Sequence, residues 1–187
     1  MGASPANPAL RRLGFSATDR VVIFHADDLG MCQATLSAWT ELAGFGLVSS
    51  GSVMVPCPWF PAVAAWCRSQ PEVDVGVHLT LTCEYRSYRW MPLSTCDPAS
   101  GLLDDEGYLP LNPVVPQQQA DPGAVELEIE GQLARALAAG VQVTHLDTHQ
   151  LSVWHHHLVR SYVNLALRNH LPFFFLRLEA DRWQALG

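Results

Sequence analysis

Strand-like and helix-like hydrophobic patterns take turns along this chain. Residues 21–25 (VVIFH) form a β-branched, aromatic run of strand length that stops at the polar turn Ala26-Asp27-Asp28-Leu29-Gly30. Between Gln33 and Phe45 the apolar positions Leu36, Trp39, Leu42 and Ala43 recur at helical spacing, and Gly44 and Gly46 supply a stop. A second strand is predicted over 47–55, closed by Pro56 and Pro58, and a short helix over 61–68. Residues 73–81 (VDVGVHLTL) alternate and read as a third strand. Helical periodicity returns at Val125, Ile129, Leu133 and Leu137 and ends at Gly140. A fourth strand is predicted over 141–146, a helix over 158–169 and a fifth strand over 173–178. Strands alternating with helices predict an α/β fold around a parallel sheet.

Residues 83–123 break this rhythm. The stretch holds six prolines together with Tyr85, Tyr88, Trp90 and Tyr108. Disordered segments are poor in aromatics, so an ordered loop over the mouth of a site is the better reading. Trp90 and Tyr88 are its candidates for stacking on a ligand.

Composition narrows the field. The 187 residues suit one domain, 1–187, and 49% hydrophobic content supports a sizeable core. The formal charge is −7, and all 11 basic residues are arginine. Such a chain repels phosphate backbones and anionic lipid, which argues against nucleic acid or membrane as partner and for a small neutral substrate. Five widely spaced cysteines without a C-x-x-C pair read as reduced, mostly buried thiols of a cytoplasmic protein. No run is long enough for a signal peptide or a membrane helix.

Metal-type and acid/base side chains cluster at three strand ends: His25 to Asp28, His78, and His145, Asp147 and His149. Strand C-termini of a parallel sheet or β/α barrel share one face, so the three groups are expected to converge. Adjacent Asp27 and Asp28 repel unless a cation lies between them, although Asp28 could instead cap the following helix. His78 alone would read as a hydrogen-bonded core residue. His145, Asp147 and His149 share one side of an extended segment, and imidazole with carboxylate suits an open divalent site. His155-His156-His157 reads as a solvated helix start, since consecutive residues do not share a helix face. Glu126, Glu128 and Glu130 read as complements to a helix dipole.

The pieces VVIFHADDLGM (21–31), LVSSGSVMV (47–55), VGVHLTLT (75–82) and VTHLDTHQ (143–150), in that order and spacing, resemble the YdjC-like carbohydrate deacetylases. The resemblance runs from about residue 20 to about residue 177. It implies a β/α barrel-like fold, one divalent metal ion (magnesium first, with zinc, cobalt or manganese as alternatives) and removal of an N-acetyl group from an amino sugar. It also implies Asp28, His78 and His149 as metal ligands and Asp27 as the base that activates water. His145, Asp147 and His25 would orient ligands or substrate. Family members commonly continue the fourth-strand motif with alternating histidines, where this chain has Leu151 and Val153.

The expectation is therefore a metal-dependent carbohydrate deacetylase on an incomplete TIM-type barrel of about five strands. A non-catalytic metal- or sugar-binding relative and a metal-dependent phosphoesterase are the alternatives. An eight-stranded barrel typically takes about 250 residues, so the length predicts a C-terminally incomplete, open barrel. Its exposed strand edge favours a homodimer.

Overall fold

The computed structural model describes residues 8–16 and 18–176. Four strands, β1 (His25–Leu29), β2 (Ser50–Val53), β3 (Val75–Leu79) and β4 (Val143–Thr148), form one parallel sheet in the order β1-β2-β3-β4. Each new strand joins the same growing edge. That sequential order belongs to the arc of a β/α barrel; a doubly wound sheet reverses at a switch point. Among the described residues the arc is not closed.

A short helix α1 (Pro8–Arg12) precedes the sheet; α2 (Gln33–Phe45) and α3 (Phe60–Ser69) supply the first two crossovers. The third crossover contains α4 (Val114–Gln119) and α5 (Pro122–Ala138), and α6 (Val159–Arg168) follows β4. The stop of α2 is as expected. Gly46 takes φ 81° and donates to Ala43 O, while Leu47 N donates to Leu42 O. Asp121 caps α5 by accepting from Ala124 N at 2.9 Å, one turn earlier than the apolar pattern alone indicated. Val63, Val77, Leu79, Ile129, Leu133 and Leu165 meet in the core between sheet and helices.

Two strand expectations need correction. Pairing of β1 begins at His25 and not at Val21, because the ladder starts at His25↔Ser50, with Phe24 O accepting from Ser49 N and Ser50 N. Val21, Val22, Ile23 and Phe24 are exposed, so their apolar character reflects no burial among the described residues. The fifth strand is reduced to one parallel bridge, Leu146↔Phe173, with Phe174 N donating to Leu146 O. Residues 177 and 178 of that expected strand lie outside the described residues.

The 83–123 segment is ordered from within. Fully buried Glu128 on α5 accepts from Leu93 N, Ser94 N and Ser94 Oγ at 2.6–3.0 Å. Gln132, one turn on, accepts from Thr80 N and donates to Thr80 O, so it completes the backbone bonding just past β3. Glu128 is thus a loop anchor and not a dipole complement. Glu126 and Glu130 face solvent and pair with Arg168.

Candidate active site

Both outer ladders slip by one residue, the first toward the C-terminal end of β1 and the second at the N-terminal end of β3 and β4. Between the pairs Ala26↔Gly51 and Leu29↔Val53, β1 carries one residue more than β2. That bulge holds Asp27 and Asp28, and Asp28 takes φ 63°, a left-handed conformation that Asp tolerates better than most residues. A regular strand would send the two carboxylates to opposite faces. The bulge turns both toward the site. Between Val75 and Val77, β4 likewise carries an extra residue, which lays the His145 ring and carbonyl over Gly76.

Asp28, His78 and His149 converge. Asp28 Oδ1 lies 3.4 Å from His78 Nε2 and 3.1 Å from His149 Nδ1. The opposite nitrogen of each ring already faces a carboxylate: His78 Nδ1 is 2.7 Å from Asp147 Oδ1, and His149 Nε2 is 3.0 Å from Glu84 Oε2. A carboxylate only accepts, so those nitrogens carry the N–H and the nitrogens turned to Asp28 are the ones free to ligate. Asp28 Oδ1 is buried and accepts no hydrogen bond. One donor atom from each residue lies within 4.8 Å of the others. Lone pairs converging in this way repel unless a cation or a proton lies among them. The donor set fits a divalent ion of mixed nitrogen and oxygen preference.

The electrostatics agree. His149, and then His78, hold the Asp28 carboxyl well below the usual carboxylate range despite burial. Burial pulls the His78 pKa down, but Asp147 and Asp28 outweigh it and raise it to about 10.

Asp147 is the hub behind this set. Beyond His78 it accepts from Ser52 Oγ at 2.8 Å and from His25 Nε2 at 3.0 Å. Burial opposes its ionisation, yet His25, His78 and Ser52 bring its pKa well below normal. His25 is pushed up to about 9, by Asp147 first and Asp27 second, and its Nδ1 lies 3.0 Å from Ser50 Oγ. Asp27 Oδ1 is 3.3 Å from His25 Nε2, and its side chain is 59% exposed. It borders a cavity of about 680 Å³ that also reaches His25, His78, His145 and Asp147.

The three predicted clusters therefore meet in space. His145 stands at the cavity's edge: its Nδ1 is 2.8 Å from Thr144 Oγ1, its ring meets His25 edge-on at 5.1 Å, and burial lowers its pKa. Trp90 is only 3% exposed and donates to Thr82 O, so its ring anchors the long segment and offers no open face for stacking. Tyr88 is more exposed, and its hydroxyl donates to Met31 O. His155, His156 and His157 gather among themselves in the turn leading into α6, with ring centroids 3.7–5.2 Å apart. Ser50, Ser52 and Glu84 were missed in the sequence. The period-2 serines at a strand end were the one available signal for the first two; Glu84 carried none beyond its place past the third strand.

The family model described as YdjC-like protein matches residues 21–186. The chain belongs to this family. A carbohydrate deacetylase of Thermus thermophilus is 36% identical over 157 residues, 84% of this chain and 53% of that protein. A carbohydrate deacetylase of Thermoanaerobacter pseudethanolicus is 26% identical over 87% of this chain and 63% of its own length. This YdjC-like chain thus spans between half and two thirds of these curated relatives. Among solved structures, one described as a cellobiose-phosphate cleavage protein from Enterococcus faecalis superposes with a TM-score of 0.75 at 24% identity, covering 88% of this chain and 62% of that one. That likeness supports the fold.

Proposed function

We propose that this chain carries the metal-binding and base residues of a carbohydrate deacetylase, which hydrolyses an N-acetyl group from an amino sugar to leave acetate and a free amine. The observation that carries the reading is the convergence of Asp28, His78 and His149 on one point, with exposed Asp27 beside them at the cavity. The carbohydrate deacetylases among its relatives give the substrate class. Asp28 Oδ1, His78 Nε2 and His149 Nδ1 would hold the divalent ion. Bound there, such an ion supplies Lewis acidity for the acetamide carbonyl and for water.

The chain's own residues do the rest. Asp27 accepts the proton of the attacking water at its cavity-facing carboxylate. His25 lies between Asp27 and Asp147 and keeps the Asp27 side chain at the mouth of the cavity. Asp147 in turn fixes the His78 ring. The five cysteines form no disulfide, three of them are buried, and they suit a reducing compartment such as the cytoplasm.

Acetate release from N-acetylated chitooligosaccharides, with added Mg, Mn, Co or Zn, tests the reading. Asp27→Asn should lower turnover by about 10²–10⁴-fold and leave metal binding intact, whereas Asp28→Asn should lose both. A chain that binds metal and releases no acetate is not the proposed enzyme. Hydrolysis of phosphate esters in place of acetamides would point to the phosphoesterase alternative.

A further inference from the structure

Glu84 has no place in the reaction as described, yet it lies against a proposed ligand. The residue follows β3 at the head of the 83–123 segment, and its Oε2 sits 3.0 Å from His149 Nε2. His149 is 4% exposed, so Nε2 has little access to water and Glu84 is its partner. The two histidines of the site then present different nitrogens. His78 offers Nε2 because Asp147 takes its Nδ1–H, and His149 offers Nδ1 because Glu84 takes its Nε2–H.

We infer that Glu84 is a positioning residue: it fixes the proton of His149 on Nε2 and so commits Nδ1 to the cation. This rests on the metal reading above. The physical basis is general. A ring nitrogen bonded to a carboxylate cannot also ligate, and the bond fixes both the tautomer and the orientation of the ring. His149 depends on this more than a strand residue would. It stands in a 3-10 turn after β4, ahead of Gln150 and Leu151, which have φ of 52° and 54°. No ladder bond fixes its orientation there.

Two readouts on the full chain test the inference. Calorimetric titration with Mn(II) should show affinity falling about 10–100-fold in Glu84→Ala and less in Glu84→Gln, whose amide oxygen still accepts. Nitrogen-15 spectra of the Zn(II)-loaded protein should show His149 ligating through Nδ1 in the wild type and through a mixture in Glu84→Ala. Unchanged affinity, or an unchanged ligating nitrogen, in Glu84→Ala overturns the role of Glu84. Asp28→Asn separates this outcome from failure of the metal reading. If Asp28→Asn binds Mn(II) as the wild type does, the metal site and the Glu84 role fall together. If Asp28→Asn abolishes binding while Glu84→Ala spares it, only the Glu84 role falls. Far-UV dichroism and matching melting curves confirm that the variants fold.

Discussion

Gly76 sets how closely β4 can approach β3 beside the site. A Cβ there would lie 2.5 Å from the His145 ring and 2.6 Å from the His145 carbonyl oxygen. A rotamer change could move the ring, but the carbonyl belongs to the bulged backbone and cannot yield cheaply. Gly76→Ala should therefore destabilise the chain by about 1–3 kcal/mol, read as a lower urea midpoint, and should displace His145 from His25. An unchanged midpoint would mean that the bulge is soft. The same residue marks what was legible at this scale. Asp27, Asp28, His78, Asp147 and His149 stood out because their chemistry is rare at strand ends. Glu84 and Ser52 did not, because serine and glutamate after a strand are ordinary, and their roles arise only when separate segments close on one histidine or one carboxylate.

The element that holds the site's wall is α5. Its apolar stripe predicts the helix, and its glutamates Glu126, Glu128 and Glu130 read as complements to the helix dipole. Glu128 and Gln132 are four residues apart on the buried face, bonded to each other at 2.8 Å, and they fasten the segment at Leu93 and Ser94 and the end of β3 at Thr80. Periodicity records which face of a helix is apolar; it cannot show that a loop supplies donors to a polar residue within that face. The first strand misled for a related reason. A β-branched run at 21–24 has the propensity of a strand and no ladder partner among the described residues, while the polar HADDL that follows has one. Glu128→Ala leaves Leu93 N–H and Ser94 N–H without their acceptor and should cost about 3 kcal/mol. The 83–123 segment should then become the first site of proteolytic cleavage, and Glu128→Gln should fall between the two. Equal protease resistance in Glu128→Ala and the wild type would refute the anchoring role.

For the whole molecule, the strand alternation was legible as a parallel sheet, but the internal charge network was not, because it joins residues up to 122 positions apart. That network sets how stability depends on pH when no cation is bound. His25 and His78 have folded pKa values of about 9 and about 10, above the ordinary histidine value of about 6.5. Their contribution is complete below about pH 6.5 and is lost as pH rises through 9 to 10. Asp28 and Asp147 are shifted the other way. Their contribution is present above the ordinary carboxylate range, near pH 4, and is lost as pH falls through their lower folded values. The two windows overlap between about pH 4 and 6.5. The metal-free chain should thus melt highest on the acid side of neutrality and decline toward pH 9. Its net charge of −7 adds repulsion in the same direction at high pH, so a control is needed. His25→Gln removes one raised group and leaves the surface charge at high pH unchanged; its melting curve should decline less steeply between pH 6.5 and 9. Added Mn(II) should stabilise the wild type more at pH 8 than at pH 6, because ligation displaces the proton that His78 holds in the metal-free state. Scanning calorimetry in chelator from pH 3 to 9 measures the curve. A maximum at pH 8 or above, or a His25→Gln slope equal to that of the wild type, would contradict the assignment of the raised groups.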